Sequence, residues 1–270
     1  MEVRWLEQSL ADVSEQDDWL GPRERSHLET LRFPKRRADW RLGRWTAKHA
    51  VACDLNLSPT AERLAYIEIR SAASGAPEVF LGNHPANLTI SISHRAGIAA
   101  CAVGESGAML GCDLEIVEPR SDAFVSDYFT AEEQEVVRQA CPADRFTLIA
   151  LIWSAKESAL KALHAGLRID TRSLSVVLDD ANMAVIHGFQ PAARDDLAAI
   201  PYSSPLWRTL RVNYIPQHIF QGWWFRCADR IRTGVSLPPS PRPTWSSFSQ
   251  RGQPETLTSM EPSFGTILDK

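Results

Sequence analysis

The chain has 270 residues, a hydrophobic fraction of 44% and a net charge of −4 from 29 basic and 33 acidic residues. That length and apolar content suit a folded chain with one large or two small cores, and the slightly acidic balance excludes the global basicity expected of a nucleic-acid binder. Five cysteines, at 53, 101, 112, 141 and 227, lack both the close spacing of a zinc site and the density of a disulfide scaffold, so reduced thiols in a cytoplasmic protein are expected.

At the start, Met1 to Trp5 lacks the basic and apolar regions of a signal peptide, and no later apolar run reaches bilayer-spanning length, so no membrane partner is expected. Val3 to Leu6 reads as a strand, about Ser26 to Leu55 as a basic helical region, and Tyr66 to Ile69 and Leu88 to Ser93 as strands. Ile98 to Val103 follows an Arg95-Ala96-Gly97 turn, which puts Ser93 and His94 at a hairpin end. Ala108-Met109-Leu110 leads into Gly111-Cys112-Asp113-Leu114-Glu115, a strand whose period of two points Asp113 and Glu115 the same way. Thr130 with Glu133 three residues on is a capping box that opens a helix to Gln139. Leu148, Ile149, Ile152, Trp153, Leu160 and Leu163 then mark the stripe of a helix that carries Glu157 and Lys161 one turn apart. Strands follow at Leu174 to Leu178, Trp207 to Tyr214 and Gly222 to Cys227, and the tryptophans read as core anchors. The expected fold is α+β with two similar lobes, 1–107 and 108–235, and a Pro- and Ser-rich tail, 236–270, whose composition assigns it to disorder.

Two carboxylates on a strand beside a third on a helix suit a hard cation, and magnesium best, since it takes oxygen ligands and is readily completed by a ligand's phosphates. Lys161 then neutralises a phosphate oxygen. The plainer alternatives are a solvated strand edge and an ordinary Glu157–Lys161 helical pair worth about 0.3 to 0.5 kcal/mol. Arg37, Arg41, Arg44 and Lys48, at spacings of four, three and four, form a stripe that Arg32, Lys35 and Arg36 extend; it fits either several phosphates on one ligand or a solvated basic face. His94 suits a phosphate contact or a proton carrier as well as a structural bond. A magnesium-dependent nuclease also fits parts of this set.

Together these blocks resemble the surfactin-synthetase-type 4′-phosphopantetheinyl transferases. The likeness spans about Pro22 to Cys227 and rests on Arg36 to Arg44, Gly75-Ala76-Pro77, Ile92-Ser93-His94, Gly111 to Glu115 and Trp153 to Lys161. It implies a pseudo-twofold pair of α+β lobes with coenzyme A in the cleft between them. The implied reaction moves phosphopantetheine from coenzyme A to a serine of an acyl or peptidyl carrier protein, releasing adenosine 3′,5′-bisphosphate, with Mg2+ as cofactor; a non-catalytic coenzyme A or carrier-binding module is the alternative, and two lobes in one chain favour a monomer. By position, Asp113, Glu115 and Glu157 correspond to metal ligands and Lys161 to the lysine at the reacting phosphates. Arg37, Arg44, Ser93 and His94 correspond to nucleotide-phosphate contacts, and Gly75 and Pro77 to the glycine and proline of the second block; Arg41 and Lys48 join from the stripe. Glu133 corresponds to a further glutamate that helps deprotonate the carrier serine or bind the metal, although its capping-box position explains it without catalysis. Ala76, Cys112 and Arg95 depart from the family's usual residues, and Ala76 removes one possible contact to the nucleotide.

Overall fold

The computed structural model describes residues 2–178, 186, 207–214 and 218–246. Strand β1 (Arg4–Ser9) is followed by helices α1 (Pro22–Thr30), α2 (Pro34–Asp54) and α3 (Ala61–Tyr66). The basic region read as one helix is two, because Pro34 has no N–H to give to a continuing helix and instead opens α2 at its first position. Strands β2 (Ile67–Ser71), β3 (Pro77–Leu81) and β4 (His84–Pro85) form a small antiparallel sheet. Strands β5 (Leu88–Arg95) and β6 (Ile98–Glu105) make a hairpin whose two loop residues, Ala96 and Gly97, both have positive φ, the twist a two-residue hairpin turn requires.

The second half runs β7 (Met109–Ile116), α4 (Asp122–Tyr128), α5 (Ala131–Gln139), α6 (Arg145–Ala162), β8 (Leu174–Val177), β9 (Arg208–Tyr214), β10 (His218–Cys227), β11 (Arg230–Leu237) and β12 (Thr244–Trp245). The fold is α+β. One sheet has the order β12-β1-β6-β5 and the other β7-β11-β10-β9-β8. Helix α2 lies on the first sheet over a core that includes Leu6, Val51, Ile90 and Val103, and α6 lies on the second over Ile149, Ile152, Leu160, Ile231 and Val235. A third core, with Trp5, Ala100, Leu110, Cys112, Trp223 and Phe225, draws on both sheets.

The expected tail begins too early. Strand β11 runs through Leu237, and Thr244 and Trp245 pair in parallel with Arg4 and Trp5, so the proline-rich run is a connection between two strands. The remaining part of that expectation, 247–270, lies outside the described residues. No helix among the described residues is long and apolar enough to cross a membrane.

The two sheets meet at β5 and β7 through side chains. Ser91 Oγ accepts from Cys112 N at 2.9 Å and Ser93 Oγ accepts from Leu114 N at 3.2 Å. Two serines at a spacing of two thus reproduce on one face what a backbone ladder would supply, and they fix the height of β7 against the β5 hairpin.

Candidate active site in the cleft between the sheets

The β5–β7 seam brings the chemistry-bearing blocks together. A cavity of about 310 Å3 is lined by His94 and Arg95 at the end of β5, Asp113 and Glu115 on β7, and Trp153, Glu157 and Lys161 on α6. Gly111 makes this approach possible: a Cβ there would lie 1.8 Å from the carbonyl oxygen of Ser158, so any side chain would push α6 off β7. With the helix that close, the two acids on β7 and Glu157 on α6 share one space.

Asp113 is buried and held at three points. Oδ1 accepts from Ser93 Oγ at 2.9 Å and from Lys161 Nζ at 2.8 Å, and Oδ2 accepts from Ser154 Oγ at 2.8 Å. Glu115 accepts from its neighbour Ile116 N at 2.8 Å and pairs with Arg95 at 3.2 Å and Arg120 at 3.6 Å, while both arginines also pair with Glu118. Glu157 takes part in no hydrogen bond or ion pair among the described residues. Burial raises its pKa, the charges of Asp113 and Glu115 raise it further, and Lys161 pulls it down. Burial likewise raises the pKa of Glu115, against the pull of the Ile116 amide and Arg95. Burial alone would lower the pKa of Lys161, yet Asp113, Cys112 and Glu157 together raise it, so it is a cation at neutral pH. His94 is exposed at the mouth; desolvation by the surrounding protein lowers its pKa, with Lys161 and Lys35 acting the same way and Asp39 and Asp113 opposing.

The expected metal set is present but not assembled as three ligands. Among the described residues no group of three or more His, Cys, Asp or Glu is arranged to hold an ion. The reason is that Lys161 takes part of Asp113 and two arginines take Glu115, while Glu157 stands without a bonded partner. The donor set still fits a hard cation: it is all oxygen, and magnesium commonly binds through only one or two carboxylates and completes its shell with phosphates and water. The ordinary Glu157–Lys161 pair does not form, because Lys161 turns to Asp113.

A second cavity of about 480 Å3 shares His94 and is lined by Phe33, Lys35, Arg36, Asp39 and Trp40 at the start of α2. Lys35 pairs with Asp39 at 2.6 Å, and Arg36 is exposed. The four residues of the stripe are placed differently from the expectation. Arg37 donates to the carbonyls of Leu28 and Leu31, ending α1. Arg41 is bound to Asp17 at 2.8 Å and to the carbonyl of Ser14 at 2.6 Å. Arg44 stacks against Trp40, 5.1 Å from its ring centre, with Nε buried and without a hydrogen-bond partner; burial lowers its pKa against the pull of Glu24.

Lys48 is fully buried, paired with Glu24 and donating to the carbonyls of Trp19 and Leu64 at 2.9 Å each. Its expected phosphate contact is therefore corrected: every donor is used in the core. The stripe dives inward along α2, and equal spacing cannot distinguish a solvated face from one that feeds buried carbonyls.

Three further expectations change. The Ser93 hydroxyl gives its proton to Asp113, so it positions a carboxylate rather than offering that proton to a nucleotide phosphate. Gly75, with φ +90°, and Pro77 lie on the β2–β3 hairpin and line neither cavity.

Glu133 is buried and held at three points: it accepts from Thr130 N and Val176 N at 2.8 Å each and pairs with Lys156 at 2.7 Å. Burial raises its pKa and Lys156 lowers it. Lys156 in turn donates to the carbonyls of Tyr128 at 3.0 Å and Thr171 at 2.9 Å. The Glu24–Lys48 pair repeats this arrangement, since Glu24 accepts from Gly21 N and Ile69 N at 3.0 Å each. A capping glutamate, a neighbouring strand amide and a lysine on the long helix thus recur in both halves. This duplication accounts for Glu133 as a structural residue, held at three points and outside the cavity that Asp113, Glu115, Glu157 and Lys161 line.

The residues that the reading of the chain missed are Trp153, Trp40 and Phe33, which line the cavities, and Arg95, Arg120 and Glu118, which surround Glu115. Arg95 carried a signal, as the cation next to His94; the others follow patterns that any core or surface shares.

Residues 109–200 match the family model described as the 4′-phosphopantetheinyl transferase superfamily. That segment contains Asp113, Glu115, Glu157 and Lys161. No curated protein matches the chain significantly. Similar solved structures include a holo-(acyl-carrier-protein) synthase from Bacillus anthracis str. Ames in complex with CoA (3′,5′-ADP), 22% identical with a TM-score of 0.34 over 39% of this chain and 96% of that one. Another is the Helicobacter pylori holo-[acyl-carrier-protein] synthase in complex with coenzyme A, 21% identical with a TM-score of 0.27 over 38% of this chain and 99% of that one.

Proposed function

We propose that this protein transfers the 4′-phosphopantetheine group of coenzyme A to a serine of an acyl or peptidyl carrier protein, giving the holo-carrier and adenosine 3′,5′-bisphosphate. The observation that carries this reading is the convergence of Asp113, Glu115, Glu157 and Lys161, all within the family-matched segment, on one cavity that shares His94 with a second at the cationic start of α2. A long ligand with a diphosphate at one place and a nucleotide phosphate at another needs that layout. Five free cysteines suit a reducing, cytosolic setting.

Asp113 and Glu157 would hold Mg2+, with Glu115 beside them. When bound, the ion supplies charge neutralisation at the diphosphate. Lys161, kept protonated by its acidic neighbours, offsets negative charge on the phosphate oxygens as the carrier serine attacks the β-phosphorus and the nucleotide departs. His94, with Lys35 and Arg36 across the second cavity, orients the nucleotide end, and Trp153 closes one wall against water. Glu133 lies outside this cavity, and Glu157, which lines it, is the carboxylate placed to receive the serine proton, directly or through a water.

Mass spectrometry of apo-carrier incubated with coenzyme A and Mg2+ tests the reading. A gain of one phosphopantetheine on serine, lost with Asp113→Asn or Glu157→Gln in folded protein, is the expected result. An equal gain with Asp113→Asn would remove the assignment.

A further inference from the structure

We propose that Thr233, through the chain Ser158–Thr233–Ser154, is a positioning residue that sets the Asp113 carboxylate for a divalent cation; this rests on the reading of the cleft given above. Thr233 lies on β11, outside the family-matched segment, and nothing in its neighbourhood along the sequence marks it. Ser154 Oγ lies 2.8 Å from both Asp113 Oδ2 and Thr233 Oγ1, and Ser158 Oγ lies 2.8 Å from Thr233 Oγ1. All three hydroxyl residues are wholly buried.

The proton order from Thr233 to Asp113 is fixed by chemistry. An ionised Asp113 only accepts, so Ser154 donates to it. The single Ser154 proton is then used, and Thr233 must donate to Ser154. The Thr233 proton is used in turn, so Ser158 can only donate here, and its one proton lies between Thr233 Oγ1 at 2.8 Å and the Thr233 carbonyl oxygen at 3.2 Å. Each hydroxyl therefore polarises the next, and the row ends on Oδ2.

A carboxylate offers about four lone-pair sites. Ser93 and Lys161 use Oδ1 and Ser154 uses one site on Oδ2, which leaves one Oδ2 site for a ligand in the cleft. Packing does not explain the threonine. Ile231 and Val235 flank it on the same face of β11 in the core under α6, where valine would fill the same volume and spare the burial of a hydroxyl. Mid-helix serines commonly bond back to their own helix, whereas Ser154 and Ser158 both reach across to β11.

Loss of a group that orients a metal ligand typically weakens the metal by 10- to 100-fold. Titration of the full chain with Mn2+, followed by water-proton relaxation, reads this without turnover. Thr233→Val is expected to bind Mn2+ about 10-fold more weakly, Thr233→Ser to restore the original affinity, and Asp113→Asn to abolish binding. Urea unfolding alongside separates a fold effect, and Ser154→Ala, which removes the last hydroxyl of the row, is expected to weaken Mn2+ as Thr233→Val does. Unchanged affinity in Thr233→Val and Ser154→Ala, with binding lost in Asp113→Asn, overturns the inference and leaves the cleft reading standing. Binding that ignores Asp113→Asn removes both.

Discussion

At Glu133 a carboxylate sits at the third residue of α5, bonded to two backbone amides and one ammonium. Removing its charge strands Lys156 in the core, and breaking a buried pair from one side costs about 3 to 5 kcal/mol. Glu133→Gln is therefore expected to lower the urea midpoint substantially while the folded fraction keeps its turnover; reduced turnover with an unchanged midpoint would make Glu133 a catalytic group after all. Gly111 is the other residue on which the site depends. Gly111→Ala forces a methyl group against the Ser158 backbone and is expected to cost about 3 kcal/mol, the upper part of the usual overpacking range, with transfer activity falling in parallel. The paired acids of β7 were legible from their period of two, and so was the helix carrying Glu157 and Lys161. Which carboxylate is free was not, because that depends on Arg95, Arg120 and Lys161 arriving from other elements.

At the scale of elements, β6 and β7 bury their cysteines against both sheets. Burial pushes the Cys112 thiol up to about 11, and burial also raises that of Cys101, so both stay protonated from pH 7 to 9 as well as inaccessible. Alkylation of native protein over that range is expected to label exposed Cys141 first, and to reach Cys101 and Cys112 only after denaturant is added. Rapid native labelling of Cys112 would show that the β5–β7 seam opens. The strand and helix periods were readable because each has one dominant apolar face. The direction of the basic stripe on α2 was hidden, since Lys48 is buried by pairing with Glu24 from α1, and spacing along one helix contains no information about another.

Across the whole molecule, the two halves repeat a long helix on a sheet with a glutamate–lysine pair inside each. They are joined by contacts between residues far apart in the chain. Arg232 on β11 makes a bidentate pair with Glu7 on β1, at 2.8 and 2.9 Å, with both side chains buried. Trp5 Nε1 donates to the same Glu7 carboxylate at 2.9 Å. Glu7→Gln is expected to destabilise the chain by about 3 kcal/mol in urea unfolding, as the guanidinium loses its counter-charge; a neutral effect would mean that the sheets hold together without this pair.

The pairing of β12 with β1 was equally invisible, because two residues after a proline-rich run carry no strand signal. The claim on which the function turns is that acids from β7 and α6 act with a divalent ion on a diphosphate. Calorimetric titration of coenzyme A with and without Mg2+ tests it most directly. Mg2+ is expected to tighten coenzyme A binding, and Asp113→Asn or Glu157→Gln to remove this coupling. Coenzyme A affinity indifferent to Mg2+ in the unaltered protein would contradict it.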